Sequence, residues 1–98
     1  MSDNRNVCSS GWIGAKGSTI TLENHNTNSV TVNDCGDPLC PFPFSSPPPG
    51  FTVPGKQGSN PGTKQATLVD ATGKHCYCTV GCPNSPKQDT NPKTVIIS

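Results

Sequence analysis

Apolar and polar residues alternate with a period of two along much of this chain, and no window shows the 3.6-residue period of a helix. Ser18–Asn24 reads STITLEN, with Ile20 and Leu22 on one face and Thr19, Thr21 and Glu23 on the other. Asn28–Asn33 reads NSVTVN, with Val30 and Val32 on one face. The intervening His25, Asn26 and Thr27, flanked by Asn24 and Asn28, predict an Asn-rich hairpin loop, because Asn tolerates left-handed backbone. Thr63–Val69 (TKQATLV) points Ala66 and Leu68 one way. Lys74–Val80 (KHCYCTV) points Cys76, Cys78 and Val80 to one side and Tyr77 to the other, after a turn at Asp70–Gly73. Lys93–Ser98 (KTVIIS) predicts a closing strand behind another Pro/Asn loop. Short strands separated by turn clusters predict an all-β, antiparallel sandwich.

Between the strands, the residues from Pro38 to Gly62 are nearly all turn chemistry, including CPFPFSSPPPGF and PGKQGSNPG. Proline donates nothing to a sheet ladder, so this stretch predicts a long crossing loop with short edge pairing at most, Phe51–Val53 being one such piece. Phe42, Phe44 and Phe51 have two readings. They are candidates for a binding surface on the loop, or they fold down as a lid over an open end of the core.

Composition sharpens the picture. Leu, Ile, Val and Phe number 17 of 98 residues, a thin supply for a core, while Pro and Gly number 21. Each ordered residue costs roughly 1–2 kcal/mol of backbone entropy, which so few greasy side chains offset poorly. Six cysteines, Cys8, Cys35, Cys40, Cys76, Cys78 and Cys82, supply another device. An even count in a short chain rich in Asn, Thr, Ser, Pro and Gly predicts disulfides, and with them an oxidising compartment: extracellular, periplasmic or cell-surface. Cys76 and Cys78 share a face, so each is expected to bond elsewhere rather than to the other. Six cysteines allow fifteen pairings, and spacing alone does not choose.

The formal charge is +1, with Lys and Arg scattered singly, so the electrostatic footprint of a nucleic-acid binder is missing. No apolar run approaches the ~20 residues of a membrane span. The polar opening MSDNRN carries no signal-peptide pattern. The chain divides into a polar N-terminal arm, residues 1–11, and a single domain, residues 12–98.

The order of motifs from Trp12 to Ser98 resembles the cupredoxin family in its small bacterial form. The resemblance rests on Phe51–Gly55 (FTVPG), Ala66–Gly73, the pair Tyr77-Cys78 and Thr94–Ile97. It implies a Greek-key β-sandwich. In that family a copper-ligating thiolate follows a Tyr, which places it at Cys78. A first imidazole would fall near Asn33–Cys35, which reads NDC, and a second at Cys82. The axial Met has no counterpart, since Met1 is the sole methionine, and His25 and His75 stand elsewhere, as ordinary surface histidines. A blue-copper centre needs two imidazoles and a thiolate, so no copper is expected and no cofactor is assigned. The resemblance implies instead that Cys35 and Cys82, near the two imidazole positions, are bonded to each other. The metal alternative is a four-thiolate zinc site from Cys35-x4-Cys40 and Cys78-x3-Cys82, at the loose end of known ligand spacings, or a copper carrier on the same scaffold.

Catalysis has little to work with. The carboxylates are Asp3, Glu23, Asp34, Asp37, Asp70 and Asp89, and Asp34 and Asp37 sit in turn sequence, where Asp bonds its own backbone. Cys76-Tyr77-Cys78 lacks the spacing of a thiol–disulfide oxidoreductase. Two non-enzymatic functions remain. One is a secreted or surface module that binds a partner through its loops. The other is a self-assembling filament or coat subunit whose arm links to a neighbour through Cys8 or by strand addition.

Overall fold

A computed structural model describes residues 3–83 and 92–98. The Pro/Asn loop before the last strand, Asp89 included, lies largely outside the described residues. Among the described residues nine strands form: β1 (Asn4–Asn6), β2 (Trp12–Gly14), β3 (Thr19–Asn24), β4 (Val30–Asn33), β5 (Phe44–Ser46), β6 (Phe51–Val53), β7 (Gly62–Leu68), β8 (Gly73–Val80) and β9 (Lys93–Ile97). One sheet runs in the order β1-β3-β7-β5 and the other β2-β9-β8-β4-β6. The alternating apolar faces meet between them: Ile20, Leu22, Ala66 and Leu68 from the first sheet, Val30, Val32, Val53, Tyr77, Val95 and Ile97 from the second.

The sheets are mixed, which corrects the expectation of a purely antiparallel sandwich. β1 lies parallel to β3 and β2 parallel to β9. The cause is that residues 3–14 feed one short strand to each sheet. Thr21 N–H donates to the Asp3 carbonyl and Val7 N–H to that of Glu23, so the polar opening is a sheet edge. Val7 is fully buried.

The expected Asn-rich hairpin is a crossover. β3 pairs with β7 over six residues, whereas β4 pairs with β6 and β8 in the other sheet. A hairpin would have laid the Ile20/Leu22 and Val30/Val32 faces side by side. The crossover sets them opposite each other across the core, where each buries the other. Asn24 holds the corner. It is fully buried, and its Nδ2 donates to the carbonyls of Asn28 (2.8 Å), Pro54 (3.2 Å) and Val53 (3.3 Å). Its Oδ1 accepts from Asn26 N–H at 2.9 Å. The loops packed there approach so closely that a Cβ at Gly62 would collide with the Pro54 backbone.

Candidate functional site

The cysteines define the chemistry of the molecule. Cys8 is bonded to Cys82, Cys35 to Cys78, and Cys40 to Cys76, with Cα separations of 5.7, 5.2 and 5.3 Å. Each separation suits a disulfide. Cys8 is therefore bonded within its own chain, so its sulfur is not available to a neighbour.

The expected Cys35–Cys82 bond is not formed, and strand register explains why. Antiparallel pairing sets Thr31 against Val80 and Asn33 against Cys78. The end of β4 thus meets the middle of β8, not the turn after it. Cys82 lies four residues beyond Cys78, or ~13 Å along a strand. It sits instead by the β3–β4 crossover, where Cys8 reaches it and Asn26 Nδ2 contacts the Cys8 sulfur at 3.5 Å. For the same reason Cys35, Cys40, Cys78 and Cys82 do not gather as a four-thiolate set, and each sulfur is bonded to another sulfur. Among the described residues, no three His, Cys, Asp or Glu side chains are placed to hold a metal ion.

Two bridges act on one strand. Tyr77 points into the core, so Cys76 and Cys78, its neighbours on β8, point to the outer face of the second sheet. There they hold a strap, residues 34–41. It runs beside β8 where β4 stops, and Cys76 N–H donates to the Pro41 carbonyl at 3.0 Å. Between the bridgeheads the chain folds into a tight bulge. Asp34 Oδ1 accepts from Gly36 N–H and Asp37 Oδ1 from Leu39 N–H, both at 2.9 Å, and Cys40 N–H closes the turn on the Asp37 carbonyl. The two aspartates thus serve as turn formers. At the tip, Leu39 is 88% exposed.

The aromatic residues take the opposite role. Phe44 is buried, and its ring lies 5.4 Å from Phe42, 5.8 Å from Phe51, 5.6 Å from Tyr77 and 6.4 Å from Trp12. Phe42 and Phe51 are half-buried against this cluster. The Tyr77 hydroxyl accepts from Trp12 Nε1 (3.2 Å) and donates to the Val7 carbonyl (2.9 Å). The proline-rich loop therefore supplies core. His75, expected at the surface, is buried, with Nδ1 within 3.0 Å of the Gly73 carbonyl. It shares the inner side of β8 with Tyr77.

Sequence reasoning did not find the strap as a unit. The signal was the pairing of two cysteines five apart, Cys35 and Cys40, with two on one strand face, Cys76 and Cys78. One concavity among the described residues, of about 310 Å³, is an open hollow on the β6–β7 loop lined by Pro54, Gln57, Asn60 and Thr63. It brings together no charged side chain.

The class that fold and site define is a small all-β domain of two mixed sheets closed by three disulfides. Comparison with protein-family profiles, curated proteins and solved structures gives no match.

Proposed function

We propose that this protein is a non-enzymatic binding module of an oxidising, extracytoplasmic compartment, built on a cupredoxin-like Greek-key scaffold. The observation that carries the reading is the doubly stapled strap. One bridge closes a loop of 43 residues and the other a loop of 36. In the chain-entropy account either alone stabilises by roughly 4 kcal/mol. Once Cys35–Cys78 exists, Cys40–Cys76 closes only a small ring, and the same relation gives it about 2 kcal/mol. The second bridge chiefly fixes the shape of six residues that bury little, which suits a surface held ready for a partner and lowers the ordering cost of binding.

The cupredoxin-like reading draws support from the same place. The thiolate position, Cys78, and the region of the first imidazole, Asn33–Cys35, do converge at one spot. There a disulfide stands where the family would assemble metal ligands. All six cysteine sulfurs are bonded in pairs, so a copper or zinc function would first require reduction.

Binding is favoured over filament assembly because the sheet edges are guarded. β5 and β6 are three-residue edge strands flanked by Pro43, Pro47, Pro48, Pro49 and Pro54. The outward carbonyl of Ile13 on edge strand β2 is capped by Arg5 Nη2 at 2.8 Å. Edge β1 is the polar Asn-Arg-Asn. Such edges resist strand addition.

The test is to produce the chain in an oxidising and in a reducing compartment, and to add Cu(II) and Zn(II) to each product. Protein from the oxidising route should carry three bridges, bind neither metal stoichiometrically, and remain monomeric. A folded product with free thiols that takes up one metal ion per chain would overturn the reading in favour of the metal alternative.

A further inference from the structure

The described residues include three exposed large aliphatic side chains, and all are borne by the second sheet or its strap: Ile13 (59% exposed), Ile96 (38%) and Leu39. Register places two of them in one row. Ile13 pairs with Ile96 across β2 and β9, and Ile96 pairs with Lys74 across β9 and β8. Directly paired residues point to the same face, and Trp12, Val95 and Ile97 on either side are turned inward. The outer face therefore reads Ile13, Ile96, Lys74 across three strands. The next pair along β8 and β9 is Cys76 and Thr94, and Cys76 leads through its disulfide to Cys40 and the neighbouring Leu39. Three strand spacings, ~14 Å, carry the surface from β2 to the strap.

Charge gives this face a preference. Lys74 stands in the row, and Lys16 follows β2, its N–H bonded to the Ser98 carbonyl just past β9. Arg5 reaches the rim at the Ile13 carbonyl but is paired with Asp3. The strap's carboxylates, Asp34 and Asp37, are turned to their own turn amides. We infer that this face docks a partner protein through an extended segment that presents aliphatic and acidic side chains on one face, at every second residue, the aliphatic groups covering Ile13 and Ile96 and a carboxylate meeting Lys74. A second copy of the chain fits less well. Three exposed aliphatic side chains fall far short of the ~800 Å² per partner of a standard interface, and a symmetric pairing would bring like charges together.

This inference deepens the binding-module reading, and the experiment separates the two. The oxidised 98-residue chain with labelled Ile, Leu and Val methyls is titrated with two synthetic peptides, one placing Leu, Leu and Glu at every second position with Ser between them and one with Lys in place of that Glu. Parallel samples receive phosphatidylglycerol vesicles or are simply diluted. The Leu/Glu peptide should shift the Ile13, Ile96 and Leu39 methyls saturably and leave Val30 and Val32 in place. Lys74→Glu should weaken that binding about tenfold, a loss of ~1.4 kcal/mol. The paired substitution Ile13→Glu with Ile96→Glu should abolish it with the core methyls unmoved. An equal response to the Leu/Lys peptide, a vesicle response, shifts on dilution alone, or no shift at these methyls would each overturn the assignment. With the three bridges intact and neither metal bound, any of these results would remove this site while leaving the module reading in place.

Discussion

Asn24 shows how much a single polar side chain contributes when it is fully enclosed. It donates to carbonyls from two loops and accepts from a third position, so the β3–β4 crossover and the β6–β7 loop are joined through one amide. Truncation would leave buried carbonyls unpaired, at about 1–3 kcal/mol each. Asn24→Ala is predicted to lower stability by about 3 kcal/mol in urea unfolding, and a loss under 1 kcal/mol would contradict this role. Tyr77 poses a parallel case: its hydroxyl ties the Val7 backbone to the Trp12 indole. Tyr77→Phe should cost about 1–3 kcal/mol and alter the tryptophan emission. Unchanged stability and emission would show that the hydroxyl does not hold the N-terminal segment. Leu39 is the counterpart. Being almost wholly exposed, Leu39→Ala should change stability by less than about 0.5 kcal/mol.

At the scale of elements, period-two alternation made β3, β4, β7, β8 and β9 legible to within a residue or two, since each has one buried face. β1, β2 and β5 gave no such signal. Asn4–Asn6 is polar throughout because its burial comes from the next residue, Val7, and three-residue strands are too short to display a period. What alternation could not reveal was which strand faces which. Ile20/Leu22 and Val30/Val32 show the same pattern whether adjacent in one sheet or opposed across two, and the deciding residue was the polar Asn24. The same gap affected the cysteines. Their shared face on β8 could be read from the sequence, but the pairing depended on how far β4 extends along β8. The two kinds of bridge should therefore differ in effect. Replacing Cys40 and Cys76 together with Ala should cost about 2 kcal/mol, whereas the same change at Cys8 and Cys82, which close a loop of 74 residues, should cost about 4 kcal/mol. Equal losses by chemical unfolding would show that the strap bridges do not share one constraint.

For the molecule as a whole, a thin aliphatic core, proline-guarded edges and three covalent ties form one consistent design. The chain closes two small sheets over an aromatic cluster, takes β1 and β2 from its polar opening, and fastens that opening through Cys8–Cys82. It then spends two further bridges on one strand to hold a bulge that packs against little. The shape of the strap and the outer face beside it depend on the pairing of the sulfurs. Proteolysis of the native protein without reduction, followed by mass spectrometry of the linked peptides, tests that pairing directly. The expected links join Cys8 to Cys82, Cys35 to Cys78 and Cys40 to Cys76. A peptide linking Cys35 to Cys82, or free thiols at Cys35 and Cys78 in the folded protein, would contradict it.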